Sequence, residues 1–420
     1  MKNIIKNALF AGILLLLFSC SSKPLTADFE LYSDGVIQDS LLQLAVKIEN
    51  NTSKTLELDI EWRIATDNGE TIKQMRFPYS INCDTVLLAY APLHHFKQCG
   101  FYRIEAQICH ANYTEDLFTN VVMNPEDIHS PLRKPGDFDA FWQRNIASLS
   151  KLNTTPEIKK IERSSDAKTD LYEVSLKSLG DLSIKGWLEV PKKKGNYATL
   201  YRVPGYTENL EPIDMYDDMI VFSLNVRDHG NSDNSGVREY EMWVRGLENE
   251  ESFFYKNIYL DCFVGLNYLA SREDVDLERI AVWGGSQGGG LSLLTAAYDK
   301  RISLCVADIP FLSDWERYFE ISHWYELDQW MLEHPNISWN EILDVFSYFD
   351  TKNMVHKIEC PVWMGIGLQD DVCPPATSFA SYNLITSPKR YNIYPHQFHS
   401  QPQSHYDERF MEIRAFFKMD

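Results

Sequence analysis

The sequence predicts a mainly parallel α/β sheet with helices on both faces, preceded by a small all-β sandwich. Two rhythms and one turn motif carry that expectation. Residues 27–124 alternate polar and apolar side chains with period two, whereas the chain beyond them alternates short runs apolar on both faces with helix-length segments. Between one such run and one such segment stands Gly284-Gly285-Ser286-Gln287-Gly288, a Gly-x-Ser-x-Gly turn of the kind that lifts a serine hydroxyl above a sheet edge.

Size and charge narrow the options. A chain of 420 residues with 44% hydrophobic, 13% aromatic and 24% charged side chains has material for two or three folded domains. Its formal charge of −20 repels a polyphosphate backbone, so nucleic acid is not an expected partner.

Met1 to Cys20 reads as a lipoprotein signal peptide. Lys2 and Lys6 supply the positive end and Ala8–Phe18 the apolar stretch, which is too short for a bilayer needing roughly 20 residues. Leu17-Phe18-Ser19-Cys20 is similar to a bacterial lipobox, so residues 1–19 are expected to be removed, Cys20 lipidated, and residues 20–26 left as a tether. The expected location is outside the cytoplasm, membrane-anchored on the periplasmic or cell-surface side. An ordinary cleaved leader with an incidental cysteine is the alternative. Among the later cysteines, Cys83, Cys99 and Cys109 are close enough in sequence to suggest one bridge. Neither Cys-x-x-Cys nor His-Glu-x-x-His occurs, so no protein-bound metal is expected.

In residues 27–124 the alternation is plain at Leu42, Leu44, Val46 and Ile48, and at Leu56, Leu58, Ile60, Trp62 and Ile64. Asp67-Asn68-Gly69 supplies a turn, and Tyr102, Ile104, Ala106 and Ile108 continue the pattern after Gly100. A sandwich of immunoglobulin-like outline is expected. It carries no cluster of reactive side chains and reads as a spacer or packing module, with carbohydrate binding as the alternative. Residues 125–136, rich in proline and turn formers, form the expected linker, and the α/β domain takes 137–420. Its strands are expected at Ala198–Val203, Met219–Leu224, Ile280–Trp283, Leu304–Ala307, Val362–Ile366 and Tyr391–Tyr394, with helices at Tyr255–Ser271 and Leu291–Tyr298. Trp324–Phe349 is long for a crossover and reads as helical insertion material near the site.

A serine hydroxyl is a weak nucleophile at neutral pH and needs a base that a carboxylate orients. With a nucleophile in this kind of turn, the acid is expected before the histidine in chain order. Asp370 follows the strand at Val362–Ile366, at the C-terminal edge where open α/β sheets place their sites; Asp371 is its competitor. His399 follows the last strand by a short loop, with His396 and His405 as competitors. Two main-chain N–H groups are expected to hold an oxyanion, that of Gln287 after the nucleophile and that of Tyr206 in the loop after Ala198–Val203.

A series of motifs in one order resembles the acetyl xylan esterases and cephalosporin C deacetylases, carbohydrate esterases of the α/β-hydrolase fold. It comprises Lys134-Pro135-Gly136-Asp137-Phe138-Asp139-Ala140-Phe141-Trp142, Gly205-Tyr206, Gly284 to Gly290, Asp308-Ile309-Pro310-Phe311-Leu312, Gly367 to Pro375, and Tyr394-Pro395 with His399. The resemblance runs from about Arg133 to the C-terminus. It implies Ser286 as nucleophile, His399 as base, Asp370 as orienting acid, and Tyr206 with Gln287 as oxyanion donors. It also implies no cofactor and, as substrate, an acetylated oligosaccharide such as acetylated xylan, or a small acetyl ester. Feruloyl, lipid or antibiotic acetyl esters form one rival reading, and an inactive glycan-binding surface lipoprotein another. The family's usual His-Gly-Tyr loop is here Pro204-Gly205-Tyr206, and its Arg-Gly-Gln-Gly turn is Arg227-Asp228-His229-Gly230, which places the side-chain network behind the oxyanion loop in question. The resemblance also implies a compact homo-oligomer, which the added sandwich and the lipid at Cys20 leave open.

Overall fold

The computed structural model describes residues 23–419, apart from 32–33, 38–39, 42, 153–154 and 233–241. The leader with Cys20, and Leu42, lie outside the described residues. No helix among them is long and apolar enough to cross a membrane.

The period-two segment builds two sheets. Strands β1 (Leu25–Leu31), β3 (Leu44–Asn50) and β6 (Val86–Tyr90) form one in the order β1-β3-β6. Strands β2 (Val36–Ile37), β4 (Leu56–Thr66), β5 (Thr71–Ile81), β7 (Gly100–His110) and β8 (Tyr113–Met123) form the other in the order β2-β8-β7-β4-β5. All pairs are antiparallel except β2 with β8. The alternation makes Val46, Ile48, Ile60, Trp62, Ile64, Ile104 and Ile108 one buried cluster between the sheets. Their neighbours on the outer face do not all meet water: Phe101 and Val122 join the core of the α/β domain, with the Phe101 ring 6.0 Å from that of Phe379. The sandwich is therefore a packed module and not a tethered spacer. No bridge joins Cys83, Cys99 and Cys109, all free. Cys99 precedes the 11-residue strand β7 and Cys109 is its tenth residue, so a rise of roughly 3.4 Å per residue holds them far beyond the reach of a disulfide.

The second domain is a nine-stranded sheet in the order β17-β16-β15-β14-β12-β13-β11-β10-β9. Its strands are β9 (Glu157–Ile161), β10 (Thr169–Lys177), β11 (Ser183–Pro191), β12 (Tyr197–Arg202), β13 (Ile220–Asn225), β14 (Val275–Gly285), β15 (Ile302–Asp308), β16 (Val362–Gly367) and β17 (Lys389–Tyr394). The pairings from β13 through β12, β14, β15 and β16 to β17 are parallel, and β9, β10 and β11 extend one edge antiparallel. Strands buried on both faces need cover on both. Tyr201, Val203, Val282 and Cys305 face a cluster that includes side chains of α1 (Phe138–Ser148), α2 (Phe254–Ala270) and α3 (Gln287–Tyr298). Leu200, Ala281, Trp283, Leu304 and Val306 face Ile413 of α8 (Gln403–Phe416) on the other side. Between β15 and β16 lie α4 (Trp315–Ile321), α5 (Tyr325–Glu333) and α6 (Trp339–Ser347), and α7 (Pro375–Tyr382) precedes β17. The insertion expected at 324–349 is thus the pair α5 and α6.

The loop after β15 is held by buried charge. Lys352 donates to Asp314 at 2.5 Å and to Pro131 O at 2.7 Å, which also fastens the linker. Asp350 accepts main-chain N–H groups of Asp314, Trp315 and Lys352. Burial pushes the Asp350 carboxyl up from 3.8 to about 6, against the opposing pull of Lys352. A carboxyl raised on folding adds stability in its protonated form, present at low pH and lost as pH rises through about 6. Wild-type protein is expected to gain about 1 kcal/mol from this group between pH 7.5 and 5.5. The increment should vanish in Asp350→Asn when denaturant melts of both proteins are compared at the two pH values.

Candidate active site

The nucleophile candidate stands where the local sequence forces a sharp turn. Ser286 joins β14 to α3 with φ 57° and ψ −124°, a costly conformation for a residue with a side chain. The flanking glycines make the turn possible: a Cβ at Gly284 or Gly288 would lie 2.6 or 2.5 Å from Val203 O, at the end of β12. The Ser286 N–H donates to Asp308 O at 2.9 Å, and its carbonyl accepts from Phe311 N–H at 2.9 Å. The end of β15 and the loop after it therefore hold both main-chain groups of the strained residue.

Asp370 and His399 arrive on the loops after β16 and β17. His399 Nε2 lies 3.0 Å from Ser286 Oγ, and Nδ1 lies 2.9 Å from Asp370 Oδ2. A carboxylate accepts only, so Nδ1 carries the proton and Nε2 faces the hydroxyl as an acceptor. Asp370 is buried, and its Oδ1 also accepts N–H groups of Val372 at 2.9 Å and Cys373 at 2.8 Å, which fixes the carboxylate plane. The three residues singled out in the sequence are brought together in one hydrogen-bonded line.

The competitors lie elsewhere. Asp371 and His396 are exposed. His405 is buried but committed: Nε2 meets Asp308 Oδ2 at 2.9 Å, Nδ1 meets the Tyr394 hydroxyl at 2.7 Å, and Trp283 Nε1 donates to the same Asp308 oxygen at 2.7 Å. This second His–Asp pair ties α8 to the strands beneath the nucleophile turn.

Among the described residues, neither the Gln287 N–H nor the Tyr206 N–H donates to a protein acceptor. The loop bearing Tyr206 is fixed by side-chain bonds whose partners the sequence did not assign. Gln287 Nε2 reaches Pro204 O at 3.3 Å and His229 Nε2 at 3.1 Å, while Tyr255 donates to Gln287 Oε1 at 2.7 Å. His229 Nδ1 lies 2.9 Å from Arg227 O, and burial lowers the His229 pKa, so a neutral ring donates there and accepts from Gln287. Behind it Arg227 grips Asp261 with Nε and Nη2, each at 2.8 Å, both side chains buried. The turn Arg227-Asp228-His229-Gly230 was the sequence signal for Arg227 and His229; for their partner it was Asp261, a carboxylate amid the apolar run 260–265. The Tyr206 hydroxyl donates to Glu326 of α5 at 3.1 Å, and Trp324 packs edge-on against the Tyr206 ring at 5.6 Å. Burial, reinforced by Glu326, pushes the Tyr206 hydroxyl far up, so it stays a donor.

Ser286 and His399 open onto a cavity of about 650 Å³ whose walls include Arg202, Glu208, Tyr206, Trp283, Trp324 and Tyr406. Cys373 Sγ lies 3.8 Å from Ser286 Oγ, and burial raises its thiol well above the usual range. Asp370, Cys373 and His399 present potential metal-ligand atoms within 4.8 Å of one another, but Asp370 and His399 already serve the line to Ser286. Replacing Arg227 by Met would leave Asp261 buried without its cation, so denaturant unfolding is expected to show a loss of about 3–5 kcal/mol.

The chain is similar to known proteins over most of its length beyond the sandwich. The family model described as acetyl xylan esterase (AXE1) matches residues 126–416. Acetyl esterase Axe7A of Xylanibacter ruminicola is 32% identical over 295 residues, and the match spans 66% of this chain and 66% of that protein, just under two thirds of its length. An acetyl xylan esterase structure from Paenibacillus sp. R4 superposes with TM-score 0.64 at 29% identity, covering 69% of this chain and 98% of that one. Acetyl xylan esterase 1 from Thermoanaerobacterium sp. JW/SL YS485 gives TM-score 0.63 at 27% identity, covering 69% and 96%. With well over half of its length matched by the family model, the chain belongs to the acetyl xylan esterase family, carbohydrate esterases and carboxylic ester hydrolases of the α/β-hydrolase fold.

Proposed function

We propose that this protein removes acetyl groups from acetylated xylan or related oligosaccharides through a Ser-His-Asp acyl-enzyme mechanism. The observation that carries the reading is the line from Ser286 Oγ through His399 to Asp370, with links of 3.0 and 2.9 Å, opening onto a cavity lined by aromatic and charged groups. Aromatic faces beside polar groups suit a sugar ring, and the relatives named above act on acetyl esters.

His399 Nε2 takes the Ser286 proton as Oγ attacks the acetyl carbon, and the carbonyl electron pair moves onto oxygen. The N–H groups of Gln287 and Tyr206 hold that oxyanion; losing one such donor typically costs about 2.7–4 kcal/mol of transition-state stabilisation. The intermediate collapses, the C–O bond to the sugar breaks, and His399 returns the proton to the leaving sugar oxygen. Water then attacks the acetyl-serine, again giving its proton to His399. Acetate departs as Ser286 Oγ recovers a proton. Asp370 keeps the imidazole oriented and balances its charge while it holds the proton.

We also propose that Cys20 is lipidated and anchors the enzyme outside the cytoplasm. The leader composition supports this reading, and Cys20→Ala should move the protein from the membrane to the soluble fraction.

Ser286→Ala is expected to lose on the order of 10⁶ in kcat for acetate release from acetylated xylooligosaccharides while remaining folded. Undiminished release would remove the mechanism. On a chromogenic alcohol, acetyl should be preferred over longer acyl chains, and equal rates would favour a broader ester substrate. Labelling by a serine-directed phosphonate separates all these readings from an inactive glycan binder.

A further inference from the structure

The loop that carries His399 runs from the end of β17 to the start of α8 without helix or strand of its own, and Phe398 and Ser400 on either side of His399 are exposed. Such a segment holds a base to within tenths of an ångström only if something outside it supplies the restraint. The supports come from the residue before the catalytic acid and from the sandwich. The Gln369 N–H donates to Gln397 O at 2.9 Å, and Gln369 Nε2 donates to Pro395 O at 2.7 Å, so one residue fastens the acid loop to the base loop at two points. The same side-chain amide lies against β8 of the sandwich. Asn120 N–H donates to Gln369 Oε1 at 2.7 Å, and Gln369 Nε2 donates to Asn120 O at 3.1 Å, so one side-chain amide pairs with both main-chain groups of a single strand residue. Thr119 Oγ1 lies 3.2 Å from the same nitrogen.

Apolar contacts follow the same line. The Phe118 ring meets that of Phe398, next to His399, edge-on at 6.3 Å, with Arg103 stacked 3.7 Å over Phe118. On the sandwich side Gly35 sits at φ +74°, and a Cβ there would fall 2.3 Å from Leu368 Cδ2. Gln369 and Leu368 are both buried, so water does not compete for these bonds. The family model begins at residue 126, and the solved relatives are matched over 96–98% of their own length by 69% of this chain. The restraint from residues 35 and 118–120 is therefore an addition to the family's shared core.

We infer that Gln369 is a positioning residue through which the N-terminal sandwich holds the Asp370 and His399 loops in register, making the sandwich a working part of the esterase. The inference rests on the Ser-His-Asp reading. Gln369 touches neither substrate nor Ser286; it acts through the placement of its neighbours.

The test uses the full chain and reads the rate at which a fluorophosphonate labels Ser286, which needs the triad but no sugar. Gln369→Leu keeps the bulk and removes every side-chain hydrogen bond. It is expected to label at least about tenfold more slowly and to lose kcat in proportion, with KM within about threefold, because misplacing a catalytic group by about 1 Å costs on the order of 10²-fold. From the sandwich side, Thr119→Val should slow labelling about threefold and Thr119→Ser should restore it. In the Gln369→Leu background Thr119→Val should add nothing, since its partner is already gone. A purely structural role would lower the unfolding midpoint and leave the labelling rate of the folded protein unchanged. Folded Gln369→Leu that labels within about twofold of wild type overturns the inference, as does a loss carried by KM alone. Should that variant fail to fold, Thr119→Val and Phe118→Leu are read by the same rate, and unchanged labelling in both overturns it equally. A fully active Ser286→Ala would defeat the Ser-His-Asp reading itself; an inert Ser286→Ala beside an unaffected Gln369→Leu would defeat only the role of the sandwich.

Discussion

A line of two hydrogen bonds, from a hydroxyl through an imidazole to a carboxylate, sets the tolerance for the rest of this molecule. Ser286 and His399 are 113 residues apart and His399 and Asp370 are 29 apart, yet each link closes at about 3 Å. The parallel sheet solves most of the problem. Strands β14, β16 and β17 run the same way, so the turn after each emerges at one edge, and the three side chains need only short loops to meet.

Edges of sheets are irregular, and irregular backbone needs partners. Around this site the partners are buried polar groups whose places are set by one another. Arg227 with Asp261 anchors the turn behind the Tyr206 loop, and Gln287 with His229 and Tyr255 fills the space between. Lys352, Asp314 and Asp350 brace the loop after β15, whose Phe311 N–H in turn holds Ser286. His405 and Asp308 pin the last helix beneath the nucleophile turn. Buried ions are costly, and an apolar replacement of equal shape is often as stable. Their value here is geometric, because a charge with one good partner leaves a loop one low-energy arrangement.

Two elements outside the parallel sheet approach the site from different sides. The start of α5 brings Glu326, and Trp324 just before it, against Tyr206. The sandwich brings β8 against Gln369 and Phe398, beside Asp370 and His399. The parallel sheet places Ser286, Asp370 and His399, and these two elements close around them.

Much of this was legible from residue order. Strands such as Ala198–Val203 and Ile280–Trp283 announce themselves because burial on both faces demands continuous apolar runs, and the glycines around Ser286 announce a turn that a Cβ would obstruct. The antiparallel strands β9 to β11 were not anticipated, because half-buried strands such as Thr169–Lys177 interleave apolar with polar residues and lack that continuous signature. Chain order and motif spacing sufficed to single out Ser286, Asp370 and His399, and the structure shows why His405 is not available: its ring is already bonded to Asp308 and Tyr394. What only the tertiary structure decided is who supports whom. That Asn120 meets Gln369, 249 residues away, or that Asp261 lies under Arg227, leaves no local periodicity to read. Local sequence sets backbone preference and which face is apolar; the partner of a buried polar group is chosen by the packing of distant segments, and exists only once they have met.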